Sequence, residues 1–333
     1  MSDLKIDFIC SNTDISVGSY RIWVHDLSIA LQKLKVDARV FQKIEEARDD
    51  SIIILSKGDY SLRHRIDSKR IVGAINVSSD CRTMFDFVIV GSTEEKKSLE
   101  NFYNNVLIIN LIESMYENEK LKVHEEKDLT TIGFHGSFTH LSKMRYGFSQ
   151  AVQQLTEEGH KIKVVCLTND VLPNNVCGQL QIDPNIFESH RWSYSSAKSI
   201  IQSFDMGIVP NITDLNQIYP QLKSVTSVGD GLYTTDYSLR FKNKSNPGRA
   251  FVFFQLGIPV ISDLTPSNMP MFFDETCGYL AVCPDTWKKS IIKLMNANHR
   301  NTIAQNAYLR FRSLYSFEED VNKLLFVLEQ YKK

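Results

Sequence analysis

The sequence predicts an α/β protein built from two doubly wound parallel sheets, and three observations carry that prediction. Short apolar runs recur along the chain with helix-length segments between them, the alternation that builds doubly wound sheets. Several runs are apolar at nearly every position, which marks strands covered on both faces. A charge-dense stretch then separates one such series from a second. At 333 residues and about 100–200 residues per domain, there is room for two domains.

In the first series the expected strands are 5–10, 38–42, 51–56, 71–77, 85–90 and 106–112. Trp23, Leu27, Ala30, Leu31 and Leu34 recur at helical spacing between the first two, giving a strand, loop, helix, strand unit. The first domain is thus 1–113. From 114 to 130, SMYENEKLKVHEEKDLT carries many charges of both signs and few large apolar residues, the composition of a linker. A second domain, 131–315, opens with a strand at 131–134 and a helix carrying Leu141, Met144, Phe148, Val152 and Leu155, closed by Gly159. Strands follow at 161–167, 206–210, 259–262 and 279–282, with helices near 195–204, 249–256, 286–297 and 300–314. A terminal helix, 316–333, is expected to pack back on the first domain.

A composition of 43% apolar and 23% charged residues is that of an ordinary globular chain. The formal net charge of −1 gives no global pull toward nucleic acid or an anionic membrane, so an anionic ligand must be held by a local cluster. The longest charge-free stretches run to roughly a dozen residues, short of the ~20 a membrane helix needs. The start, MSDLKIDFIC, enters a strand directly and reads as cytoplasmic. Six cysteines without a CxxC pair read as buried free thiols.

No P-loop, GxGxxG, HExxH or GxSxG string occurs, and no Asp-x-Asp pair that would hold a divalent ion against a diphosphate. No metal or resident cofactor is expected. Ligands of open α/β sheets bind beyond the carboxyl ends of the strands, so three loops are informative. In SNTDISVGSYRIW, Gly18 and Ser19 stand at a helix N-terminus that favours an anion, and Arg21 adds a fork of donors. A plain connecting loop with Ser19 as N-cap is the equal alternative. In GFHGSFTHLSKMRYGF, His135, Gly136 and Ser137 end a strand, while Lys143 and Arg145 stand near the start of a helix and within reach of a phosphate. In SLRFKNKSNPGRAFVFFQLGIPVIS, Arg240, Lys242, Lys244 and Arg249 concentrate four cations around Asn246 and a Pro-Gly turn. Arg249 falls in the first turn of a helix, where the dipole disfavours a cation unless an anion sits beside it. A solvated basic loop is the competing reading.

These features, in this order, resemble the GT-B glycosyltransferases, in particular the large family (family-4-like) typified by retaining nucleotide-sugar transferases of cell-surface polysaccharide synthesis. GSYRIWVHDLSIALQKLKVDARVF resembles the family's opening Gly-rich loop and first helix. VLIINLIE resembles the closing strand of its acceptor domain, and IGFHGSFTHLSKMRYGFSQAVQQL, DMGIVPN, NPGRAFVFFQLGIPVIS and FEEDVNKLLFVLEQ resemble successive parts of its donor domain. The resemblance implies two Rossmann-like domains facing a central cleft, with the acceptor on the first and the nucleotide sugar on the second. It also implies that Lys143 contacts the donor diphosphate. The family's Glu-x7-Glu pair is absent, its positions being occupied by Lys244 and Val252. Donor contacts are therefore expected from Gly18, Ser19, Arg21, His135, Gly136, Ser137, Lys143, Lys242, Lys244, Asn246 and Arg249. For an inverting reaction the candidate bases are Asp14, His25 and Asp80, near strand ends; His135 serves as a donor contact or as a loop stabiliser.

The expected partners are a nucleotide-sugar donor and a glycan or lipid-linked acceptor, with no nucleic acid. The basic segment 57–70 is either a solvated face or a contact with a lipid-linked phosphate at the inner membrane surface. A nucleotide-sugar epimerase on the same fold and a non-catalytic GT-B-like partner subunit are the alternatives to the transferase.

Overall fold

The computed structural model describes residues 4–77, 81, 83–145, 147–170, 172–211, 247–263 and 265–331. The chain forms two compact units, one of Met1–Met115 with Asn243–Gly248 and Tyr315–Lys333, and one of Tyr116–Lys242 with Arg249–Leu314. Asp80, Lys242, Lys244 and Asn246 lie outside the described residues.

The first unit holds strands β1 (Lys5–Ile9), β2 (Asp37–Phe41), β3 (Ile52–Leu55), β4 (Val72–Ile75), β5 (Phe87–Val90) and β6 (Val106–Ile108). Their order is β2-β1-β3-β4-β5-β6, and every pairing is parallel. Side chains of a strand alternate between faces. Ile52 and Ile54 enter one core with Trp23, Leu27 and Leu31, while Ile53 and Leu55 enter a second with Val72, Phe85 and Tyr103. Both faces are covered, which is why the runs are evenly apolar. Asp7 of β1, fully buried, is the exception, and its carboxylate accepts from Arg48 and from Ser51 Oγ.

After β1 the chain makes a short helix α1 (Gly18–Tyr20), a π-helical run Arg21–Asp26 and α2 (Leu27–Lys33). α3 (Thr93–Leu99) is capped by Ser92, whose hydroxyl accepts from Glu95 N. The last helix of the chain, α11 (Phe317–Gln330), lays Val321, Leu324 and Leu328 into the first unit's core. Asp320 near its start accepts from Asn110 N and Nδ2, at 2.8 and 2.7 Å.

The second unit holds β7 (Thr130–His135), β8 (Ile162–Thr168), β9 (Phe187–Arg191), β10 (Met206–Val209), β11 (Val260–Ser262) and β12 (Tyr279–Leu280), again parallel, in the order β12-β11-β10-β7-β8-β9. Its helices are α4 (Phe148–Glu157), α5 (Val176–Leu180), α6 (Ala197–Ser203), α7 (Gly248–Leu256), α8 (Met269–Phe272), α9 (Pro284–Met295) and α10 (Ala297–Leu314). The helix expected from Leu141 onward is broken. Phe138–Arg145 is a 3₁₀ run, and α4 starts after Gly147, whose φ is +96°. A Cβ at Gly147 would stand 3.0 Å from the Trp287 ring, so the break is held by packing as well as by backbone.

The stretch read as a linker is woven into the second unit. Lys122 N donates to Leu256 O at 3.0 Å, and His124 Nε2 donates to Gly257 O at 2.9 Å. Asn301 exchanges two hydrogen bonds with the His124 backbone, and Arg300 Nη2 donates to Glu125 O. Lys122 and Lys127 stand 3.6 and 3.5 Å from the buried Asp205. Lys122, Glu126 and Lys127 are thus structural contacts of the second unit.

Candidate functional site

In the second sheet the chain runs outward from β7 through β8 to β9, then returns to place β10 on the other side of β7. The strand order reverses between β7 and β10, and ligands of open α/β sheets bind beyond the carboxyl ends of the strands at such a point. His135 ends β7 and Gly136 follows it, while Pro210 and Asn211 follow β10.

Arg249, second residue of α7, joins them. Its Nη2 donates to Asn211 Oδ1 at 2.7 Å, and its guanidinium carbon lies 5.7 Å from the Phe134 ring centroid. The side-chain stem crosses Gly136: a Cβ there would meet Arg249 Cδ at 3.0 Å, and the Gly136 φ of +138° is glycine territory in any case. His135 Nε2, 2.9 Å from Arg249 O, carries the proton because a carbonyl only accepts. The imidazole also packs edge-on against Phe253, with centroids 4.8 Å apart. His135 therefore anchors the start of α7.

Among the described residues no carboxylate reaches Arg249, and its Nη1 is buried without a hydrogen-bond partner. Asn211 Nδ2 is likewise buried and unpartnered. Burial alone pushes the Arg249 guanidinium down to about 10, so it stays charged at neutral pH. A charged fork with an unspent donor, beside a second unspent donor and a helix N-terminus, is an arrangement for an anion.

Ser137 turns to its own backbone, accepting from Thr139 N through its hydroxyl and from His140 N through its carbonyl. Lys143 is half-buried in the 3₁₀ run, five residues before α4 begins, and so is not in the first turn of an α-helix. Asn211 escaped the sequence reading. It follows Pro210 in a loop with no charge pattern, and only the crossing of α7 over β7 gives it meaning.

In the first unit, Arg21 is buried and committed. Its Nε and Nη2 donate to Glu113 Oε2 at 3.1 and 2.8 Å, and its Nη1 donates to Ile15 O and Ser16 O. Burial pushes the Glu113 carboxyl up, against the pull of Arg21. Gly18 begins α1, and the N-cap position expected of Ser19 falls to Val17. Ser19 is exposed. Asp14 is exposed and closes a turn, accepting from Ser16 N at 2.8 Å, which holds its carboxyl below the ordinary value. His25 is half-exposed, with Nδ1 3.1 Å from Asp26 Oδ1, and Asp26 Oδ2 accepts from Ser114 N. Among the described residues no three His, Cys, Asp or Glu side chains are grouped to hold a metal.

No protein-family model and no curated protein matches the chain. Solved structures do. A glycosyltransferase from Rickettsia africae is similar over all of both chains, with a TM-score of 0.63 and 9% identity. HepE from Anabaena, solved with UDP and glucose, is similar over 98% of this chain and 99% of its own, at 0.59 and 9%. TarM is similar over 91% of this chain, at 0.59 and 11%, and the chain spans 58% of TarM's length. The architecture these comparisons define is that of the GT-B glycosyltransferases. This chain has the GT-B fold.

Proposed function

We propose that the protein is a glycosyltransferase that moves a sugar from a nucleotide-sugar donor to a glycan or lipid-linked acceptor. The observation that carries the reading is Arg249, a buried guanidinium with an unpartnered donor at the β7/β10 switch point. A donor diphosphate placed there meets Arg249, Asn211 Nδ2 and the backbone of the Gly136 turn. Trp192 and Tyr194, which pack edge to face at 6.5 Å just after β9, lie about 10 Å along the sheet edge at ~4.8 Å per strand. That is the reach of a nucleoside from its diphosphate.

The mechanism follows from charge. Breaking the glycosidic bond leaves negative charge on the departing diphosphate, and fixed cations with oriented N–H groups stabilise it without reorganising. In this reading Arg249, with Lys143, Lys242 and Lys244, does the work that a divalent ion does where an Asp-x-Asp pair exists, and turnover is insensitive to chelator. His25, oriented by Asp26, is the base if the reaction inverts.

The test is a thermal-shift screen against nucleotides and nucleotide sugars, followed by product analysis with and without an acceptor. Stabilisation by none of them overturns the reading. One observation favours a second reading, a non-catalytic GT-B-like subunit: Val252 of α7, at the position of the family's second glutamate, is apolar and 1% exposed. Nucleotide binding without turnover of any donor would select it.

A further inference from the structure

The loop after β1 stands at the switch point of the first sheet. From β1 the chain passes outward to β2, then returns to place β3 on the other side of β1, which makes the carboxyl ends of β1 and β3 the place for a ligand of this unit. Residues 11–16, SNTDIS, carry short hydroxyl, amide and carboxylate groups there, and Ser11, Asn12 and Asp14 are exposed. That mix of donors and acceptors suits the hydroxyls of a sugar.

The loop is held at both ends. Ser11 N donates to Asp59 Oδ2 at 3.1 Å, and the same oxygen accepts from Ser56 Oγ, just after β3. At the other end Arg21 donates to the carbonyls of Ile15 and Ser16 while the rest of its fork is spent on Glu113. Arg21 and Glu113 are 4% and 7% exposed. Three strands separate β1 from β6 in the sheet, and the pair links the segments that follow those two strands directly.

A buried ion pair adds little to stability, because desolvation offsets the attraction and apolar side chains of similar volume fill a core as well. The upward push that burial gives the Glu113 carboxyl, against the pull of Arg21, reflects that cost. Apolar side chains cannot donate to two loop carbonyls and a carboxylate at once, as this guanidinium does. The pair also sits at the start of the π-helical run Arg21–Asp26, a rare form of helix that is frequent at functional sites.

We infer that Arg21 and Glu113 are positioning residues that hold the 11–16 loop in the form that receives the sugar of the acceptor. The inference rests on the transferase reading and deepens it, and it gives the pair no contact with donor or acceptor.

The experiment uses the full chain, with UDP-glucose, UDP-N-acetylglucosamine and GDP-mannose as donors and the octyl glycosides of glucose, galactose and mannose as acceptors. Hydrolysis of donor to water and transfer to the octyl glycoside are measured separately. Use of no donor by wild type overturns the transferase reading and the inference with it. Arg21→Met with Glu113→Leu should melt within about 4 °C of wild type, whereas Arg21→Met alone, which leaves Glu113 buried and unpaired, should melt roughly 10 °C lower. The folded double variant should hydrolyse donor at the wild-type rate and transfer to the glycoside about tenfold more slowly or worse. Glu113→Gln, whose amide oxygen still accepts from Arg21, should keep transfer within about threefold of wild type. Amide exchange at Ser16 and Val17, whose N–H groups close the loop on Asp14, should speed up about tenfold in the double variant. That measurement needs no substrate, so unchanged exchange overturns the inference while leaving the transferase reading intact. Wild-type transfer by the double variant also overturns it, as does a parallel loss of hydrolysis and transfer, the signature of a pair that only supports the fold. So does a wild type that hydrolyses donor and transfers to none of the glycosides.

Discussion

Replacing Arg249 by methionine separates ligand binding from folding more cleanly than alanine does, because methionine keeps an unbranched apolar stem over Gly136. The lowering of the guanidinium to about 10, some two and a half pH units, corresponds to about 3 kcal/mol against the charged form. The sign is destabilising: below pH 10 the group is charged in both the native and unfolded states, so the full cost is present at pH 7 and is relieved only as pH rises through 10. Against this stand the hydrogen bond to Asn211 Oδ1 at 2.7 Å, about 1.5–3 kcal/mol for a charged donor, and the Phe134 contact, about 0.5–2 kcal/mol. The terms nearly cancel. Arg249→Met should therefore melt within about 4 °C of wild type without ligand, at ~1 kcal/mol per 2–4 °C. With nucleotide diphosphate at a hundred times Kd, wild type gains about 2.7 kcal/mol, roughly 5–10 °C. The variant should gain less than a third of that. Scanning fluorimetry measures both. A wild-type nucleotide shift in the variant, or a ligand-free loss above ~3 kcal/mol, would refute the assignment of this guanidinium to an anion.

Gly136→Ala forces a side chain into φ +138° and within 3.0 Å of Arg249 Cδ; it should cost about 1–3 kcal/mol and weaken nucleotide binding more than tenfold by titration calorimetry. His124, held by burial at about 4 rather than near 6.5, contributes stability that is complete above pH 6.5 and lost as pH falls to 4, about 3 kcal/mol in all. Urea melts of His124→Gln, whose amide still reaches Gly257 O, should show a flatter profile across that window; an unchanged slope would place the acid sensitivity elsewhere. Leu324→Ala empties a fully buried position of α11 and should cost about 2–5 kcal/mol in denaturant melts, with the nucleotide Kd unchanged while the protein is folded.

Strands of both sheets were readable because burial on two faces writes itself as unbroken apolar runs, as in Ile52–Leu55 and Met206–Val209. β9 was not readable: FESHR is a half-exposed, charged strand whose one partner among the described residues is β8. The charges of 114–130 suggested a tether, since composition does not reveal that Glu126 caps Ala297 N and Glu125 O receives Arg300. At the candidate site, the cation in a helix's first turn singled out Arg249 from sequence. Asn211 needed the three-dimensional crossing. The fork of Arg21, expected to meet an anionic ligand, is spent instead on Glu113, 92 residues away.

The π-helical run explains that pairing. Five residues separate Arg21 from Asp26, and a wider turn of about 4.4 residues brings them to one face, where they hold Glu113 and Ser114 N.

The last helix carries a consequence for biosynthesis. The apolar face formed by Trp23, Leu27 and Leu31 is completed by Leu324 and Leu328, which leave the ribosome about two hundred residues after β6. At about 5–20 residues per second, that face waits on the order of 10–40 s for its cover. During translation the first unit's core stays unfinished until that helix emerges, while the unit encoded between its two pieces is made first.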